Sequence, residues 1–163
     1  MLKLHSHIKM SDTDASGNIF FANIFRFMSD IYEDFLRREG FNIQESMTKE
    51  KVAIPFVHAE ADYQRPLVLG DEIEIQLECE EMGKTSFHLL TRIYKKTGKK
   101  TGKKTGKKTG KKTKLEAAQI RTIHVWMDLK NKKKKPFPGS FRKSLEKILA
   151  KNVFRQGPKA LVD

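Results

Sequence analysis

Apolar residues recur through positions 20–36 with the spacing of a helix. Phe20, Phe21, Ile24, Phe25, Phe27, Met28, Ile31, Tyr32, Phe35 and Leu36 repeat at intervals that gather them on one wide face at 3.6 residues per turn. Gly40 follows, a residue suited to the left-handed conformation just past a helix C-terminus. The spacing predicts a long amphipathic helix that must lie against a large apolar surface.

Elsewhere the period is two. Leu2, Leu4, Ile8 and Met10 alternate with Lys3, His5, His7 and Lys9, which predicts a half-buried first strand. Val57, Ala59, Ala61 and Tyr63 predict a second, ended by Arg65-Pro66, and Leu69-Gly70-Asp71 is a turn. Ile73, Ile75, Leu77 and Cys79 against Glu72, Glu74, Gln76, Glu78 and Glu80 predict a third strand with one wet, acidic face. Met82-Gly83-Lys84 turns the chain into a fourth, with Phe87, Leu89, Thr91 and Ile93 on one face. The last strand covers 117–129 and is apolar on both faces in places, which makes it central. Ser140 is placed to cap a closing helix carrying Phe141, Leu145, Ile148 and Leu149. Hairpin-linked strands after one long helix give an α+β fold, an antiparallel sheet of about five strands wrapped on a central helix, with a C-terminal helix added.

Charge changes this picture in one place. The formal charge of +13 points to an anionic partner, yet residues 95–114 hold eleven lysines and no acid. The remainder carries +2. Lys95-Lys96-Thr97-Gly98 recurs three times and breaks off at Lys111-Lys112-Thr113, a tandem expansion of one turn. Without the copies, Tyr94 and Leu115 would face each other across a short hairpin. With nothing apolar to bury, the insertion is expected to be solvated and mobile. The remaining chain, 1–151, is expected to form one domain, with 152–163 a loosely held tail. Cys79, the single cysteine, excludes an intramolecular disulfide and sits where a small buried hydrophobe belongs. No run approaches the ~20 apolar residues of a membrane span, and positions 1–10 lack the core of a leader peptide. A cytoplasmic protein is expected.

Candidate chemistry concentrates in the loop Ser11-Asp12-Thr13-Asp14-Ala15-Ser16-Gly17-Asn18, just before the long helix. A helix start exposes unpaired N–H groups and the positive end of the helix dipole. Carboxylates beside free amides suit acyl chemistry. The simpler reading is that Asp12 and Asp14 cap turns. Paired acids also bind Mg²⁺, but no second acid cluster supplies further ligands. His5, His7, His58, His88 and His124 have no metal-ligand spacing, so no metal is expected. Trp126, Phe87 and Tyr63 read as core.

Residues 12–23, Asp12-Thr13-Asp14-Ala15-Ser16-Gly17-Asn18-Ile19-Phe20-Phe21-Ala22-Asn23, resemble the active-site signature of hot-dog-fold acyl-CoA thioesterases of the 4-hydroxybenzoyl-CoA thioesterase family. Later blocks are similar in order and spacing: Ile54-Pro55-Phe56-Val57-His58-Ala59, Asp62-Tyr63-Gln64-Arg65-Pro66, Thr85-Ser86-Phe87, and Arg121-Thr122-Ile123-His124-Val125 before the Lys-rich turn. Within the family the pattern is most like the 1,4-dihydroxy-2-naphthoyl-CoA hydrolases. The resemblance implies a hot-dog fold and hydrolysis of an acyl-CoA, with aromatic acyl groups among the candidates. It implies no cofactor beyond the coenzyme A of the substrate, and a homodimer or homotetramer with sites between subunits. It makes Asp14 the catalytic carboxylate, the Phe21 amide the thioester-oxygen donor and Gly17 the residue that lets the loop turn. Phe20 is a candidate substrate contact; His58, in one of the similar blocks, either lines the acyl pocket or is a satisfied strand histidine, and Thr85 and Ser86 either reach the substrate or simply start a strand. Lys133 and Lys134, in the basic turn 130–135, are candidates for coenzyme A phosphate or for a plain solvated run.

A second reading makes the lysine arrays a nucleic-acid or anionic-surface binder, salt-sensitive through its phosphate contacts. The array lacks the interleaved aromatics that stack on bases, and the acidic strand face would repel a duplex.

Overall fold

A computed structural model describes residues 1–97 and 113–150. The chain runs β1 (Leu2–His7), α1 (Ile24–Arg38), α2 (Ile43–Glu45), β2 (Val52–Ala53), β3 (Phe56–Tyr63), β4 (Glu72–Met82), β5 (Ser86–Thr97), β6 (Thr113–Val125), β7 (Met127–Asp128), β8 (Lys133–Lys134) and α3 (Gly139–Lys147). Five strands form one antiparallel sheet in the order β1-β4-β5-β6-β3. β2, β7 and β8 form a small second sheet.

The helical spacing has its expected consequence. Ile24, Phe27, Met28, Ile31, Tyr32, Phe35 and Leu36 of α1 are buried and join Ile73, Ile75, Leu77, Leu89, Ile93 and Ile120 of the sheet in one core. Each such side chain taken from water contributes about 2 kcal/mol. Gly40 lies at φ 74° and lets the helix stop there. The helix starts later than the apolar run, however. Phe20 is extended, residues 21–23 make a 3₁₀ turn, and α1 begins at Ile24. Phe20 and Phe21 stand exposed instead of joining the buried face.

The strands differ from their patterns where neighbours, not periodicity, decide. β1 ends at His7; Ile8 is fully buried, while Met10 is 77% exposed in a short 3₁₀ turn. β3 is not half-buried, since every residue but Ala61 is exposed along this edge strand. Tyr63 is therefore not core, whereas Trp126 and Phe87 are. The acidic face of β4 is not uniformly wet. Glu74 is buried, with Lys114 Nζ 2.6 Å from both of its oxygens and His5 Nε2 3.0 Å away. The last predicted strand breaks at Trp126, giving β6 and β7; β6 is central, between β5 and β3.

Tyr94 pairs with Glu116 and Thr97 with Thr113, so the expected hairpin forms. The outer residues of the insertion, 95–97 and 113–114, are strand, and Lys95 pairs with Asp71 at 2.6 Å. The rest of the repeat and the tail from 152 lie outside the described residues. At the other end of the sheet α3 seats Phe141 among Phe35, Phe41, Phe87, Trp126 and Phe137, and its Leu145 is fully buried. Pro138, not Ser140, occupies its N-cap position, and Leu149 is exposed. Cys79 is fully buried, and that burial pushes the thiol up to about 12. No helix among the described residues is long and apolar enough to cross a membrane.

Candidate active site

The loop before α1 folds back on itself. Thr13 bridges to Ile19, the Asp14 N–H donates to the Asn18 carbonyl at 2.8 Å, and the Phe20 N–H to the Asp12 carbonyl at 2.9 Å. Gly17 makes the reversal at φ 77°, where its N–H reaches the Asp14 carbonyl at 3.0 Å; a side chain there would be strained. The loop is then stitched to the segment before β4. Ile8 donates to Asp71, Gly70 to Ile8, Ile19 to Leu67 and Leu69 to Gly17, at 2.8–3.2 Å. This brings residues 12–14 alongside 18–20, at the entrance to α1.

The two acids have different surroundings. Asp12 is buried, and its carboxylate accepts from Arg26 Nη2 at 2.6 Å and from the Lys9 N–H at 2.8 Å. Its oxygens are committed to holding the loop on α1. Asp14 is exposed on the single chain. The Ser16 hydroxyl at 2.6 Å and the Ser16 N–H at 2.8 Å both donate to its Oδ1. These bonds, the hydroxyl foremost, hold its carboxyl below the usual aspartate value. It is thus an ionised, oriented carboxylate with Oδ2 free of protein donors among the described residues.

Just beyond, the 3₁₀ turn Phe21–Asn23 opens the helix. The Phe20 carbonyl accepts from the Asn23 N–H at 2.8 Å. No backbone partner for the Phe21 N–H is found among the described residues, as expected of a first helical position. The Phe21 carbonyl accepts the Tyr63 hydroxyl at 2.6 Å. Sequence reasoning passed over Tyr63, because alternation assigned it to a buried face.

The remaining candidates lie elsewhere. Thr85 and Ser86 stand at the β4–β5 turn, where the Trp126 N–H meets the Thr85 carbonyl at 2.8 Å. Lys133 and Lys134 are exposed on β8. β4 has 11 residues, so these groups lie roughly 30 Å along the sheet from the Asp14 loop at about 3.3 Å per residue. His58 is near the start of β3, exposed, with Glu60 3.4 Å away. At that same far end an apolar cavity of about 400 Å³ opens between α1 and the β2–β3 segment, lined by residues including Ser29, Tyr32, Met47, Ile54 and Phe56. His124 is buried beside it, ringed by Tyr32, Phe56 and Phe87 at 4.4–4.8 Å or, for Tyr32 and Phe56, 5.7 Å from each other. Burial holds this imidazole neutral, down at about 3. The described residues gather no group of three or more metal-ligating side chains.

Residues 8–145 match the model of the Thioesterase-like superfamily. A 1,4-dihydroxy-2-naphthoyl-CoA hydrolase of Crocosphaera subtropica is 34% identical over 89 residues, 55% of this chain and 65% of that one. The matched stretch thus falls just short of two thirds of that relative. A solved 1,4-dihydroxy-2-naphthoyl-CoA thioesterase from Synechocystis superposes with a TM-score of 0.72 at 22% identity, covering 88% of this chain and 93% of that one. A gentisyl-coenzyme A thioesterase does so at 0.68 and 25% identity, covering 88% and 99%. The fold is the hot-dog fold of these thioesterases.

Proposed function

The chain belongs to the Thioesterase-like superfamily, and from that premise we propose that it is an acyl-CoA thioesterase whose working carboxylate is Asp14. The observation that carries this reading is the ionised Asp14, held by Ser16 in a loop stitched beside the Phe21 amide, which has no partner among the described residues and opens the 3₁₀ turn leading into α1. Thioester hydrolysis moves charge onto the carbonyl oxygen, and a fixed amide at a helix start receives that charge without reorganising. Asp14 either attacks the carbonyl carbon, giving a mixed anhydride that water opens, or takes a proton from attacking water. In both routes the C–S bond breaks and coenzyme A leaves as its thiolate.

The functional unit in this reading is a homodimer joined along β3. Among the described residues that strand pairs with β6 on one side only, and its Phe56, Val57 and Tyr63 are exposed. A two-fold antiparallel pairing of β3 with its copy sets the Asp14 end of one protomer against the Phe56 end of the other. The 30 Å separation within one chain would then be bridged in trans. Asp14 and Phe21 would face the second copy's cavity, with its Thr85, Ser86, Lys133 and Lys134 on the same side. The apolar lining and volume of the cavity favour an aromatic acyl group of the kind named for the relatives.

The test is release of coenzyme A from a panel of aromatic and aliphatic acyl-CoAs, with light scattering for the assembly. Asp14→Asn is expected to keep the fold and lower kcat by about 10²–10⁴-fold. Asp12→Asn, which loosens the Arg26 contact, is expected to cost mainly stability, about 1–3 kcal/mol. Equal activity of Asp14→Asn and the parent would remove Asp14 from the chemistry.

A further inference from the structure

Two consecutive peptide planes at the start of α1 are held from different directions. The Phe20 carbonyl is bonded inside the turn, to the Asn23 N–H at 2.8 Å. The Phe21 N–H lies trans to that carbonyl on the same plane and so faces outward. The next carbonyl, that of Phe21, is bonded to the sheet through the Tyr63 hydroxyl, 42 residues away in sequence. Tyr63 is well anchored for this. It ends β3 in register with Ala118, and the Gln64 and Arg65 N–H groups that follow both donate to the Ala117 carbonyl, at 2.8 and 3.0 Å.

A 3₁₀ turn of three residues has weak internal bonding, and this one carries exposed side chains at Phe20 and Phe21. Packing therefore does little to fix its tilt. A hydroxyl on a braced strand does so directly.

We propose that Tyr63 is a positioning residue for thioester hydrolysis, its hydroxyl holding the Phe21 carbonyl so that the Phe21 amide, at the start of the 3₁₀ turn, points at the thioester oxygen. This rests on the acyl-CoA thioesterase reading above. Removing the Tyr63 hydroxyl leaves its ring in place and breaks one hydrogen bond, so stability changes little, whereas a misaimed donor acts on the transition state. A misplacement of 1 Å costs about 100-fold in rate.

The experiment uses the full chain and whichever acyl-CoA of the panel it hydrolyses fastest. Tyr63→Phe is expected to lower kcat by about tenfold or more, to leave KM within about twofold of the parent, and to move Tm by no more than about 2 °C. In the Phe21→Pro background, which lacks the amide, the same substitution is expected to cost nothing further, because the two changes act on one device. An unchanged kcat, a rise in KM alone, or a full additional loss in that background would overturn the proposal while the thioesterase reading stands. A parent that hydrolyses no acyl-CoA would overturn both.

Discussion

The Phe21 amide can be deleted without disturbing the turn that presents it. Phe20 already sits at φ −65°, ψ 127°, the extended conformation that a following proline demands. Proline is also accepted at the first position of a helical turn, where the missing N–H has no intrahelical partner. Phe21→Pro therefore removes one donor and keeps the Phe21 carbonyl that Tyr63 holds. The side chain lost is 65% exposed, and the stiffer unfolded chain offsets part of any loss, so stability should stay within about 1 kcal/mol of the parent. Loss of one oxyanion donor costs about 10²–10³ in kcat, roughly 3–4 kcal/mol of transition-state stabilisation. Phe21→Ala supplies the control, since it removes the same aromatic ring and keeps the N–H. The assay is thiol release under saturating acyl-CoA, with circular dichroism and a melting curve on each variant. Phe21→Pro is expected to be at least about 100-fold slower than Phe21→Ala at similar Tm. If the two variants have equal kcat, the amide does not receive the oxyanion, and the reasoning from helix start to catalysis fails.

Two further outcomes follow from the pKa directions. In the proposed mechanism activity needs the Asp14 carboxylate, so it is expected to be lost as pH falls through the carboxyl's pKa, which Ser16 holds below the ordinary aspartate value. Ser16→Ala removes the hydroxyl donor, and the acid limb of kcat/KM should move upward; coincident limbs for variant and parent would sever Ser16 from the site. His124 is held neutral by burial, at about 3 against an unfolded value near 6.5. Below the unfolded value the unfolded chain binds a proton that the folded chain refuses, so this group costs stability as pH falls from about 6.5 toward about 3, by about 1.4 kcal/mol per unit. In His124→Phe that contribution is absent, and denaturant titrations between pH 6.5 and 4.5 should show the variant gaining on the parent. Parallel stability profiles would show that His124 takes up its proton in the fold.

What the chain determined unaided is what its local periods encode. The 3.6-residue spacing of Ile24 to Leu36 is a property of one segment, so it specified α1 and its buried face before any partner was known, and Gly40 marked its end. Alternation did the same for β4 and β5, and the hairpin beneath the lysine repeat followed from Tyr94 and Leu115. The Asp14 loop was legible because its glycine, its acids and the following helix are adjacent in sequence. Periodicity tells which side a residue faces, but not what lies across from it. Glu74 looked wet until Lys114 and His5, 40 and 69 residues distant, arrived on neighbouring strands and closed over it. β3 looked half-buried, and only the strand order left it at an edge. Tyr63 looked like core until its hydroxyl met the Phe21 carbonyl. Thr85, Ser86, Lys133 and Lys134 were candidate substrate contacts, and only the sheet, with strands about 30 Å long, set them at the opposite end from Asp14 within one chain. Those decisions belong to tertiary structure, because each depends on contacts between segments whose separation along the chain carries no information about their distance in space.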